Sequence, residues 1–88
     1  MDSYKIKFKP AVEKDLRSLP RPVISRILKL IENLRSNPFP RQAMKLHMGE
    51  RHYRLRVGEY RIVFEVDEEN KEIVINYVRH RRRVYRDL

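Results

Sequence analysis

HYRLRVGEYRIVFEV, residues 52–66, holds two runs of alternating apolar and polar side chains that meet at Gly58-Glu59. Glycine at the first central position of a two-residue loop marks a type II′ hairpin. Counting outward predicts Val57 opposite Tyr60, Arg56 opposite Arg61, Leu55 opposite Ile62, Arg54 opposite Val63 and Tyr53 opposite Phe64. Side chains alternate along a strand. Tyr53, Leu55, Val57, Tyr60, Ile62, Phe64 and Val66 therefore share one side, and Arg54, Arg56 and Arg61 share the other with Val63 and Glu65.

The flanks supply the rest of the sheet and its cover. YKIKFK (4–9) alternates strictly, with Tyr4, Ile6 and Phe8 against Lys5, Lys7 and Lys9, as a half-buried strand does. Pro10 suits the first turn of a helix, and Val12, Leu16 and Leu19 recur at helical spacing until Pro20. A second helix begins near Pro22 and lines up Val23, Ile27, Leu30, Ile31 and Leu34. SNPFP (36–40) stops it, because proline disfavours α conformation in the residue before it. Residues 37–51 read as a connector with one apolar anchor among Met44, Leu46 and Met48, and EIVINYV (72–78) as a further strand. RHRRRVYRDL (79–88) reads as a last helical turn or coil.

The expected fold is α+β. An antiparallel helical hairpin packs on one face of a four-stranded, mainly antiparallel sheet in the order β-α-α-β-β-β. At 88 residues the whole chain, 1–88, makes one domain.

Composition narrows the function. Cysteine is absent, so disulfides and thiolate metal sites are excluded. No apolar run is long enough for a signal peptide or a membrane span, which points to a cytoplasmic protein without a membrane partner. The net charge of +9 favours a polyanion. The charge is also clustered: residues 79–86 hold five arginines and no acid, whereas acids gather at 67–70.

Arg56 and Arg61 are predicted cross-strand neighbours. Two unit charges about 5 Å apart repel by roughly 0.8 kcal/mol in water and about 3 kcal/mol at an effective dielectric of 20. Splayed side chains keep the cost near the lower figure, yet Thr or Glu would serve the sheet better at either position. A bound polyanion turns the repulsion into attraction. The last strand should bring Arg79 or Arg81 toward the same face. His47 and His52 lack partners at ligand spacing, so neither a metal nor another cofactor is expected.

KLHMGERHYRLRVGEYRIVFEV (45–66), VRHRRRVYR (78–86) and the preceding helical hairpin resemble, over the full chain, the RelE/ParE superfamily of type II toxin–antitoxin toxins, and its RelE branch in particular. The resemblance implies a RelE-like fold. It also implies a ribosome-dependent, metal-independent mRNA endoribonuclease that drives a ribose 2′-hydroxyl onto the neighbouring phosphate. The family's catalytic positions fall on Arg54, Arg56, Arg61, Arg79 and Tyr85. Lys45, Arg51, Arg81, Arg82 and Arg83 would contact RNA.

Arginine stabilises transition-state charge well but cannot serve as a base. Two candidates remain for that role: Tyr85, favoured by the resemblance, and His80, which belongs to the side-chain type that titrates closest to neutral pH. The resemblance further implies a RelB-like, acidic antitoxin, with the toxin–antitoxin complex binding operator DNA through it. The competing expectations are a ParE-like inhibitor of DNA gyrase and a non-catalytic RNA-binding module.

Overall fold

The computed structural model describes residues 3–46 and 51–80. The elements are β1 (Lys5–Phe8), α1 (Pro10–Arg17), α2 (Arg21–Leu34), β2 (Met44–Lys45), β3 (His52–Val57), β4 (Tyr60–Asp67) and β5 (Glu72–His80). They form one mixed sheet of five strands, in the order β1-β5-β4-β3-β2, with the two helices against it. Among the described residues only β1 and β5 pair in parallel, with Ile6 opposite Ile73 and Phe8 opposite Ile75.

The fifth strand departs from the expected four. Met44 and Lys45 pair with Arg54 and Tyr53, and the Leu46 amide donates to the His52 carbonyl at 2.9 Å. Two paired residues are too few to display a period of two, so the pattern reads as connector.

The hairpin has the expected register in every pair from Val57–Tyr60 to Tyr53–Phe64. Gly58 has φ of +58°, while Glu59 keeps a negative φ, as the II′ geometry requires. No atom lies within 4 Å of the place a Cβ would take at Gly58. Gly58→Ala is therefore expected to cost only the left-handed conformation, about 1–2 kcal/mol. Thermal unfolding should register this as a fall of several degrees; an unchanged midpoint would show that the turn tolerates a side chain.

Both helices carry a proline in the first turn, Pro10 opening α1 and Pro22 following Arg21 in α2, where the missing amide costs no hydrogen bond. Val12 from α1 and Ile27, Ile31 and Leu34 from α2 are buried with Leu55, Val57, Ile62, Phe64, Val66, Ile73, Ile75 and Val78. This core is the helix-side face counted from the sequence, with Tyr53 and Tyr60 half-buried at its margin. The first helix ends at Arg17, short of Leu19, where the Ser18 hydroxyl donates to the Asp15 carbonyl at 2.7 Å.

At the β4–β5 turn, Asp67 accepts from the Asn70 side chain at 2.8 Å and from its backbone amide at 3.2 Å. Those bonds, aided by the nearby Arg51, hold the Asp67 carboxyl below its usual range. Their contribution is present above the ordinary aspartate range and is lost as pH falls through the lowered value.

Candidate nucleic-acid interface

The face of the sheet away from the helices carries a line of arginines. Arg56 on β3 pairs with Arg61 on β4, and Arg61 pairs in turn with Arg79 on β5. Three like charges thus sit side by side across three consecutive strands. The expected approach of Arg79 is present; Arg81, Arg82, Arg83 and Tyr85 lie outside the described residues. Arg54 stands one row along the same face, opposite Val63, with Nη2 3.1 Å from Met44 Sδ.

This face is less open than the alternation implies. Arg61 is only 4% exposed and Val63 only 2%, although both point away from the core. The reason is position: β4 is the central strand, and its neighbours on this side are long. Arg54 and Tyr77 flank Val63, and Arg56 and Arg79 flank Arg61. The stems of such side chains cover apolar surface while their heads reach outward. The Arg79 guanidinium lies over the Tyr77 ring, 4.6 Å from its centroid, a cation–π arrangement.

Asp15 anchors the β5 end of the row. The outer edge of β5 loses its neighbour where β1 stops at Phe8, and α1 supplies a substitute there. Asp15 Oδ2 accepts from the Val78 amide at 3.1 Å and lies 4.0 Å from Arg79 Nε. Nothing in the helical pattern singles out Asp15; its neighbourhood is a product of topology.

A second group on the same face lies toward the start of β3. Glu65 pairs with His52, Oε1 lying 3.5 Å from His52 Nε2 and Oε2 3.7 Å from Lys9 Nζ. At the hairpin tip, Arg56 also lines a cleft of about 410 Å³ with Arg26 and Lys29 of α2, which extends the cationic surface around the edge of the sheet.

Other sequence candidates fall elsewhere. His80 pairs with Tyr60 on the helix-side face, and the two rings meet edge to face at 5.3 Å. The strand continues two residues past Val78, and alternation turns Arg79 and His80 to opposite sides. Lys45 and Arg51 line a separate cleft beside Phe39 and Tyr53, where Arg51 faces Asp67 at 3.5 Å.

Fold and site together define a two-layer α+β domain that presents an arginine row on its uncovered sheet face. A family model described as the ParE toxin of the type II toxin–antitoxin system parDE matches residues 6–85. Toxin RelE3 of Methanocaldococcus jannaschii is 32% identical over 85 residues, covering 92% of this chain and 94% of that protein. The putative toxin RelE1 of the same organism is 28% identical over 87 residues, with coverage of 96% and 97%. The archaeal RelE–RelB complex from Pyrococcus horikoshii OT3 contains a chain that superposes with a TM-score of 0.81 at 32% identity, covering 90% of this chain and 96% of that one. The chain belongs to the RelE/ParE superfamily of type II toxin–antitoxin toxins, as a member of the RelE family.

Proposed function

We propose that this toxin is a ribosome-dependent endoribonuclease that cuts mRNA without a metal. The observation that carries the reading is the Arg56–Arg61–Arg79 row. Repulsion among three aligned cations is a cost to the fold, whereas a phosphate passing to a doubly charged transition state gains from each. Guanidinium forks grip phosphate oxygens in pairs, and donors fixed in advance act without reorganisation cost. Arg54 extends the grip by one row. Arg81, Arg82 and Arg83 follow β5 in the chain and add contacts to the RNA backbone, as do Lys45 and Arg51 from the β2–β3 end. Tyr85 takes part in proton transfer. His80, held with Tyr60 on the helix side, is left out of the reaction.

The ribosome supplies the bent mRNA, so the toxin acts in the cytoplasm. Its partner in the resting state is a RelB-like acidic antitoxin, through which the complex reaches operator DNA. The P. horikoshii relative is seen as a RelE–RelB complex, which supports the pairing.

A second reading, inhibition of DNA gyrase without cleavage, takes its support from the ParE description of the matching family model. Primer extension on cellular mRNA after induction separates the two. New 5′ ends within translated codons are expected, with DNA intact. Intact mRNA accompanied by DNA damage would transfer the assignment to gyrase.

A further inference from the structure

We infer that Glu65 is the general base of this cleavage and that His52 is the residue that positions it. The inference rests on the nuclease reading above and takes the base from the described residues in place of Tyr85, whose part in proton transfer is then on the leaving oxygen. Arginine stays protonated, so the row can stabilise charge but cannot take the 2′-hydroxyl proton. Some other group on the same face has to receive it.

The described residues of that face offer few acceptors, and geometry sorts them. Glu72 is held by Lys7 at 2.7 Å, at the far end of β5 from Arg79. Asp67 stands opposite Glu72 and is engaged by Asn70. Asp15 lies at the outer edge of β5, with Oδ2 committed to the Val78 amide. His52 has its Nδ1 buried, while its Nε2 faces Glu65. Glu65 is on the central strand, and its side chain is 29% exposed and so reachable by RNA. It is the diagonal cross-strand neighbour of Arg54, since Glu65 pairs with His52 and Val63 with Arg54. Such diagonals span about 7–8 Å, within reach of two long side chains. A phosphate held by Arg54 therefore brings the adjoining ribose to the Glu65 carboxylate.

Glu65 also does not serve merely to balance the row. Its close polar partners are Lys9 and His52, one on each oxygen. The two fix the carboxylate's direction and leave lone pairs on both oxygens for a hydroxyl.

The step balances as follows. The 2′-oxygen gives its proton to a Glu65 oxygen and forms a bond to phosphorus. The bond from phosphorus to the 5′-oxygen breaks, and that oxygen takes a proton from Tyr85 or from water. The products are a cyclic phosphate and a 5′-hydroxyl, and Glu65 returns its proton to solvent.

The test uses the full chain, ribosomes carrying a defined mRNA, and single-turnover cleavage. Glu65→Gln keeps the shape and removes the basic oxygen. It is expected to cleave about a hundredfold more slowly, with ribosome affinity unchanged. The wild-type rate should rise with pH as the base ionises, and that rise should vanish in Glu65→Gln but persist in Glu65→Asp. His52→Gln should lose less and keep the rise. A Glu65→Gln protein that cleaves within about threefold of wild type, with the same pH dependence, overturns the assignment and leaves the nuclease reading standing. A wild-type protein that leaves ribosome-bound mRNA intact overturns both.

Discussion

Arg61→Ala is expected to slow mRNA cleavage on the ribosome by about a thousandfold while leaving the fold in place. Arg61 occupies the centre of the row, on the central strand, with Arg56 on one side and Arg79 on the other. At 4% exposure it is largely withdrawn from water before RNA arrives. A cation held in such a setting meets a developing phosphate charge with less solvent screening, and losses of this size follow when an arginine of this kind is removed from phosphoryl transfer. Stability should change little, because two effects oppose each other: packing of the arginine stem is lost, and repulsion from two like neighbours is relieved. Arg61→Lys keeps the charge but loses the fork, and should fall between the two. Single-turnover rates and thermal unfolding of the same preparations provide the check. An alanine variant that cuts mRNA at the wild-type rate and still arrests growth would remove Arg61 from the mechanism.

Phe64→Ala is expected to cost about 3–5 kcal/mol. Phe64 is fully buried and, among the described residues, is the largest of the wholly buried side chains. Its ring stacks on Tyr53 with centroids 5.9 Å apart, and Tyr53 meets Phe39 edge-on at 5.3 Å. Truncation opens a cavity in the core and withdraws support from the aromatic chain that ties the Asn37–Pro40 turn to the sheet. Natural domains of this length are stable by roughly 4–13 kcal/mol in total, so a large part of the margin goes. Urea titration should show the midpoint falling sharply, with Phe64→Leu costing less than half as much. A loss below about 1.5 kcal/mol for the alanine variant would mean that the core closes around the gap.

What was legible in the chain depended on period. The β3–β4 register followed from one glycine and strict alternation, and the helical pair from four prolines and a run of apolar residues at 3.6 spacing. The row from Arg56 to Arg79 was legible because it needs only the adjacency of β4 and β5. Four features were not. The Met44–Lys45 strand is too short to carry a pattern. The burial of Arg61 and Val63 depends on how far neighbouring side chains reach, which alternation does not encode. The third is an irregularity on β5, where the register against β4 shifts between Tyr77 and Ile75 and leaves Asn76 out of the pairing. Ile73-Val74-Ile75 and Tyr77-Val78 are apolar in succession, so there is no alternation from which to read it, and no local propensity marks the Asn76 oxygen as buried. The Glu65–His52–Lys9 group also escaped notice, since Lys9 reaches Glu65 only through the crossing of β1 to the far side of β5.

The parallel pairing of β1 with β5 couples the first of the described strands to the last of them. During synthesis Lys5–Phe8 has no ladder partner until Glu72–Ile75 has left the ribosome, and non-local parallel pairing of this kind is among the slowest to form. Arg79 arrives in the same final segment. The β1 edge therefore stays unpaired, and the line from Arg56 through Arg61 to Arg79 stays incomplete, until β5 has been made and has docked.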